Sequence, residues 1–379
     1  ILNLVSGEEK TFWEIQDKTI GNESLEWHAA RLRKLLNQVI NESVTEDGIT
    51  GSYLSGGLDS SLVTALASRR KPGSIHTFSI HFGSSTPNEL EFSSLVAQHC
   101  HTTHHIIEIT PKMMWDLHYE SISLLDDPIG DPLTVPNLVL GREAATVTKT
   151  ILNGEGGDPC FGGPKNQPML LNSLYTGERD SQRQVRSYLA SFQKCSEDLS
   201  RLFLPSIWKT VSEEECVFEK PLTGDGSYVN RLMFLNTRFK GADHILTKVN
   251  NLTSACGIEG RSPLFDQRIV AMSTEIPAEF KLLGQIEKAV LKEAVKDVVP
   301  EAILKRPKSG MMVPVQYWFR EVWRKEARSL LLGRRARILN YLNRTLVDDW
   351  LNYRNDIWSR YGVKLWLLCS LELWLRANE

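Results

Sequence analysis

Between residues 28 and 44, Leu32, Leu35, Leu36, Val39, Ile40 and Val44 recur three and four positions apart, which predicts an amphipathic helix. Asp47-Gly48 then marks a turn, and the short apolar run at Tyr53-Leu54 reads as a buried strand leading into a second helix with Leu62 and Leu66 on its apolar side. After the turn at Lys71-Pro72-Gly73, residues 75–82 read as a strand, 89–100 as a helix, 105–109 as a strand, 112–125 as a helix and 146–152 as a strand. Strands alternating with helices predict right-handed βαβ units, hence an α/β fold with a parallel sheet and helices on both faces. From about residue 168 the alternation stops. Mostly helical signal follows, interrupted by Pro221, Pro263, Pro277, Pro300, Pro307 and Pro314. Trp366, Leu367, Leu371 and Trp374 recur at helical spacing, as core residues of a helical C-terminal part would. Residues 1–27 show no period and read as an N-terminal extension. The expected division is therefore 1–27, then 28–379, the latter made of 28–167 and 168–379.

Composition narrows the classes. With 41% hydrophobic and 24% charged residues, 379 residues suffice for a large buried core. A net charge of -2 exerts no general pull on nucleic acid or an anionic membrane. No apolar run spans a bilayer: Val363 to Leu375 is broken by Lys364, Ser370 and Glu372. The six cysteines are scattered without a C-x-x-C pair, so reduced thiols in a cytoplasmic protein are expected. The chain begins at Ile1 rather than methionine and reads as a processed or trimmed product of something longer. His99, His101, His104 and His105 form no compact ligand set and read as surface or strand-edge residues.

Two loops carry the candidate chemistry. Leu54-Ser55-Gly56-Gly57-Leu58-Asp59-Ser60-Ser61 joins a strand to a helix N-terminus, where free N–H groups and the helix dipole favour phosphate oxygens. It is not a Walker loop, because no Gly-Lys-Ser/Thr ends it. Asp59 would repel phosphate unless a cation intervened, which suggests a magnesium ligand. The second loop, Asn153 to Gly163, holds five glycines together with Glu155 and Asp158, and Asp158 could share the same ion.

The pattern Ser-Gly-Gly-x-Asp-Ser resembles the pyrophosphate loop of enzymes that cut ATP between its α and β phosphates. With the second loop, and with Phe78-Ser79-Ile80, Asp127-Pro128, Asp131-Pro132, Leu246 to Val249, Gly257 to Asp266, Arg306 to Gly310 and Leu371 to Leu375, the chain resembles the synthetase domain of glutamine-dependent asparagine synthetases. Relatives of that family include β-lactam synthetases and lasso-peptide cyclases. The resemblance implies an adenine nucleotide α-hydrolase-like fold over roughly 28–379, and makes 1–27 a remnant of a glutaminase-linked region. It implies ATP and Mg2+ as cofactors. A carboxylate would be activated as an acyl-adenylate with release of pyrophosphate, and ammonia or an amine would then form the amide.

In that reading Leu54, Ser55, Gly56, Gly57, Asp59, Ser60, Ser61, Ile80, Gly154 and Asp158 bind the nucleotide, and Asp59 and Asp158 hold the metal. Lys308 carries transition-state charge, Glu155 serves the amine, and Lys288 is either a second catalytic lysine or a solvated side chain. Pro159, Asn250-Asn251 and Gly260 depart from the family pattern. No N-terminal cysteine is present to run a glutaminase, so the expected nitrogen source is free ammonia, a substrate amine, or a separate glutaminase or peptide partner. The alternatives are an intramolecular cyclase of the β-lactam or lasso-peptide type, and a non-catalytic nucleotide-binding homologue.

Overall fold

The computed structural model describes the chain apart from residues 1, 11–14, 17, 85, 164–182, 184, 186–187, 190–194, 215, 224–227, 285, 308–309, 357–358 and 379. In chain order the first half runs α1 (Leu25–Ser43), β1 (Thr50–Tyr53), α2 (Leu58–Arg70), β2 (Ile75–His81), α3 (Leu90–His99) and β3 (Thr103–Glu108). It continues with α4 (Pro111–Asp116), α5 (His118–Ser123), α6 (Thr134–Ala145), β4 (Thr150–Leu152) and α7 (Gly157–Phe161). Helices dominate the remainder, with one further strand of the main sheet, β5 (Glu259–Arg261).

The five strands are all parallel, in the order β3-β2-β1-β4-β5. Strand alternation divides their side chains between two cores. Leu54, Ile75 and Leu152 join α1, α2 and the helix Ala289–Val295 on one face. Phe78, Ile80 and Ile151 join α6 and the C-terminal helices on the other. The fold is thus a parallel sheet covered on both faces, followed by a mainly helical part.

Three expectations needed correction. The helix foreseen over 112–125 is two short helices joined at Leu117. Thr110 caps the first, and the second turns His118 inward, where it stacks on Trp366 at 3.9 Å and its Nε2 bonds the Ser370 hydroxyl at 2.9 Å. The strand foreseen over 146–152 begins only at Thr150. The sheet also gains β5 from within the helical half. Its Glu-Gly-Arg sequence has no apolar signal, because it is an edge strand paired on one side by β4. Among the described residues, no helix is long and apolar enough to cross a membrane, and all six cysteines are free thiols.

The side chains of Ile151 and Thr148 fill the space beside Gly51 in β1. A Cβ there would come within 2.6 Å of Ile151 Cδ1 and 2.9 Å of Thr148 Cγ2. We therefore expect Gly51→Ala to destabilise the fold by about 1–3 kcal/mol through overpacking, offset only in part by about 0.4–1 kcal/mol from a stiffer unfolded chain. Urea unfolding should show a lower midpoint at unchanged slope. An unchanged midpoint would mean that those side chains give way without cost.

Candidate active site

The strand order reverses between β1 and β4: the chain goes out from β1 to β2 and β3, then crosses back to β4 and β5. Open parallel sheets take ligands outside the carboxyl ends of the strands at such a reversal. Both glycine loops start there. A Cβ on Gly154 would lie 2.5 Å from the Ser60 nitrogen, and one on Gly157 would lie 2.2 Å from Asp59 Cγ. The two loops therefore touch through backbone that only glycine permits.

Asp59 stands in the first turn of α2 and Asp158 in the first turn of α7. Lys288 reaches both from a third segment. Its Nζ lies 2.7 and 2.5 Å from the two Asp59 oxygens and 2.5 Å from Asp158 Oδ1. Lys288 is 2% exposed, so it is not the solvated side chain that its sequence position also allowed. Its backbone is left-handed, with φ of 54°, where a side-chain-bearing residue costs on the order of 1–3 kcal/mol. A two-strand hairpin, Leu282–Leu283 with Ile286–Glu287, delivers it there. Burial alone favours the neutral amine, but the two carboxylates outweigh burial and hold its pKa above the usual lysine value. The sequence suggested magnesium between Asp59 and Asp158, and the structure has an ammonium group there.

A second pair lies beside this one. Lys248 Nζ is 2.5 Å from Asp131 Oδ2, and Lys248 itself is buried. Burial pushes Asp131 up, but Lys248 outweighs burial and holds its pKa below the usual carboxylate value. Glu155, half-buried, lies within the field of both pairs. Desolvation raises its pKa; Lys248 opposes this, while Asp158, Asp59 and Asp131 add to it, and the net shift is upward. The Asp131–Lys248 contact was not foreseen as part of the site. Its only sequence signal was that each residue falls inside a segment resembling the family.

Arg306 fastens the first loop from outside. Its Nη1 donates to the Gly56 carbonyl at 3.0 Å, its Nη2 meets Glu89 at 2.5 Å, and its guanidinium covers Phe92 at 3.9 Å. Within the loop, the Ser60 hydroxyl accepts from the Ser55 N–H at 3.2 Å and donates to the Gly57 carbonyl at 3.2 Å, so it stiffens the turn. The Asn153 side-chain oxygen accepts from the Glu155 N–H at 3.1 Å, while its amide nitrogen and the Ser61 hydroxyl are buried without a partner, and unpartnered buried polar atoms near a cleft are candidates for a polar ligand. Leu54 and Ile80 are buried, so any contact they make with a nucleotide has to come from main chain. Lys308 lies outside the described residues.

The other candidate residues fall elsewhere. Asn251 donates to Asp126 at 2.8 Å, while Asn250 and Gly260 line a separate groove of about 370 Å³. Pro159 is buried within α7. Of the histidines, His99 bonds the Val298 carbonyl, His104 bonds Thr77, and His105 pairs with His76 across β2 and β3.

Among the described residues, no group of three or more His, Cys, Asp or Glu side chains surrounds a common point. Asp59 and Asp158 supply two hard-oxygen ligands, which suffice for magnesium only when phosphate and water complete its shell. The residues fit such an ion if it arrives with a polyphosphate.

Fold and site together define an α/β protein that gathers two glycine loops, and an acid from each, at the reversal point of a parallel sheet. The chain belongs to the asparagine synthase family, whose model matches residues 31–376. It is 24% identical over 351 residues to the glutamine-hydrolyzing asparagine synthetase 1 of Bacillus subtilis, covering 85% of this chain and 55% of that one. It is 26% identical over 316 residues to the glutamine-hydrolyzing asparagine synthetase of Zea mays, covering 78% and 44%. The chain thus spans about half the length of the curated relatives it matches. A solved NH3-dependent NAD synthetase from Campylobacter jejuni is similar at a TM-score of 0.26 and 14% identity, over 37% of this chain and 61% of that one, a likeness too slight to carry an argument.

Glu155 gives the site a pH signature. Its raised pKa means that the folded state holds an extra proton above the ordinary value of 4.5. Stability then falls as pH rises through the window between 4.5 and the folded value, and the loss persists above it. Glu155→Gln should raise the melting temperature at neutral pH, and the gain over wild type should shrink as pH approaches 4.5. A gain independent of pH, or a loss at neutral pH, would contradict the assignment.

Proposed function

We propose that this chain is an ATP-dependent amide synthetase of the asparagine synthase type. It would use a carboxylate and an ammonia or amine nucleophile, and release AMP and pyrophosphate. One observation carries the reading: Asp59 and Asp158, from the two glycine loops, share a buried lysine at the place where a parallel sheet accepts ligands. Family membership supports the same chemistry, and the division into 28–167 and 168–379 belongs to the same proposal.

The substrate carboxylate oxygen would bond to the α phosphorus of ATP, and the bond from that phosphorus to the bridging oxygen would break, freeing pyrophosphate. Negative charge collects on the phosphoryl oxygens during this step, so nearby cations and N–H donors lower the barrier. The three leading N–H groups of α2, after Gly57, have no partner within the helix and face this region. Lys288 would balance Asp59 and Asp158 and keep them from repelling the polyphosphate. Magnesium bound with the nucleotide would supply further positive charge to the leaving pyrophosphate. Asp59 and Asp158 would hold it, and Lys308 keeps the transition-state role that the family resemblance implies.

In the second half the amine nitrogen would attack the acyl carbon and AMP would leave. Glu155, lifted in pKa by burial, would take the nitrogen's proton. The Asp131–Lys248 pair would hold the wall against which the amine sits.

Two assays on the same variants separate the halves. Asp59→Asn and Asp158→Asn should each lower ATP–pyrophosphate exchange by about 10²–10³-fold, the usual size of a lost electrostatic contact. Glu155→Ala should leave exchange within a few-fold of wild type but lower ammonium-dependent amide formation by about 10²–10⁴-fold. Near-normal exchange in either aspartate variant would remove the phosphate assignment. Equal loss in both assays would move Glu155 to the phosphate site. Calorimetry adds a third arm: magnesium should bind only when ATP is present.

A further inference from the structure

Charge is distributed unevenly along this chain. The whole carries -2, yet residues 320–344 hold eight Lys and Arg against two Glu, so this stretch is +6 and the remainder is -8. The stretch includes the helix Arg324–Leu332 and ends on the first residue of the helix Arg344–Leu351. Between the two helices lies a groove of about 660 Å³ lined by Lys325, Arg328, Leu332, Arg344 and Asp348. It shares no residue with the site described above.

Part of this charge is already anchored. Arg328 meets Asp348 at 2.6 Å, and Arg344 donates to the Leu332 carbonyl at 3.0 Å. These contacts fix two guanidinium groups on opposite walls and leave the groove built rather than floppy. Among the described residues, Arg324, Lys325, Arg334 and Arg335 are exposed and make no ion pair with a carboxylate; Lys325 lines the groove and the other three flank its lining residues in sequence. Within these twelve positions one acid, Glu326, stands against the four unpaired cations and Arg328, so the stretch keeps a positive surplus that a further anion would offset.

We propose that this groove is a docking site for a short, carboxylate-rich peptide segment of a partner protein. Arginine forks suit carboxylates in paired hydrogen bonds, and arginine clusters are a recurring means of reading acidic motifs. Size sets the length. The nine-residue helix along the groove is about 13 Å long at ~1.5 Å per residue, which an extended peptide of about four residues spans. Charge outside the patch argues against nucleic acid: a longer polyanion would run onto a remainder carrying -8 and be repelled there. A short acidic segment meets only the basic stretch.

The test uses the full chain and a fluorescein-labelled peptide with four consecutive glutamates flanked by Gly-Ser. Fluorescence anisotropy should show binding that weakens as salt is raised. The variant R324Q/K325Q/R334Q/R335Q should lose at least about tenfold in affinity while keeping its melting temperature, because none of the four is ion-paired. K325E alone is a second, milder variant and should weaken binding in the same direction. A four-lysine peptide should not bind. The proposal fails if the glutamate peptide does not bind at low salt, or if both variants bind it like wild type. It fails in favour of a nucleic-acid groove if a single-stranded oligonucleotide binds tighter than the peptide and loses affinity in the same variants.

Discussion

The contact of Lys288 with Asp59 and Asp158 is the constraint on which the centre of this molecule depends. Its three charges come from three parts of the chain more than a hundred residues apart at the extremes, so none can be satisfied locally. Removing one partner of a buried ion group strands the others, at a cost of about 3–5 kcal/mol. The hairpin before Lys288, the left-handed torsion at it, and the glycine contacts between the two loops all bring those groups within 2.7 Å. The left-handed lysine is strain that the ion contacts hold in place.

Much of this was legible beforehand, for a physical reason. Period-3.6 patterns report burial on one face, and α1 and α3 each have such a face, whereas α2 and β2 are buried on all sides and are legible from their apolar runs instead. Glycines at forced close approaches are equally visible, because no other residue can stand at Gly154 or Gly157. What stayed hidden is what depends on pairing at a distance. β5 is a strand only because β4 offers it an edge. Lys288 reads in sequence like any lysine at a helix start, and only the tertiary fold decides that it is buried. Lys248 and Asp131 are 117 positions apart, and no local pattern links them. The departures from the family pattern at Asn250 and Asn251 gave no hint of their neighbours, which are a separate groove and Asp126.

The cleft and the basic groove use charge in opposite ways. Around the cleft, among the described residues, the four acids Asp59, Asp158, Glu155 and Asp131 outnumber the lysines Lys288 and Lys248. A polyphosphate would be repelled by that surplus unless it brought its own cation. An ion held by two protein carboxylates and by phosphate would satisfy this condition. In the proposed reaction nucleotide and metal affinity would thereby be coupled, each reducing the repulsion that the other meets.

The same surplus bears on Glu155. Burial raises its pKa first, and Asp158, Asp59 and Asp131 add to the rise even though Lys288 is paired with the first two. A magnesium–nucleotide complex would offset those charges and draw the pKa of Glu155 back down. In the proposed reaction, release of pyrophosphate would restore that surplus and leave the carboxylate a stronger base for the amine's proton. A glutamate placed among acids, rather than beside a fixed cation, is thus suited to change its proton affinity as the first half of a two-step reaction gives way to the second.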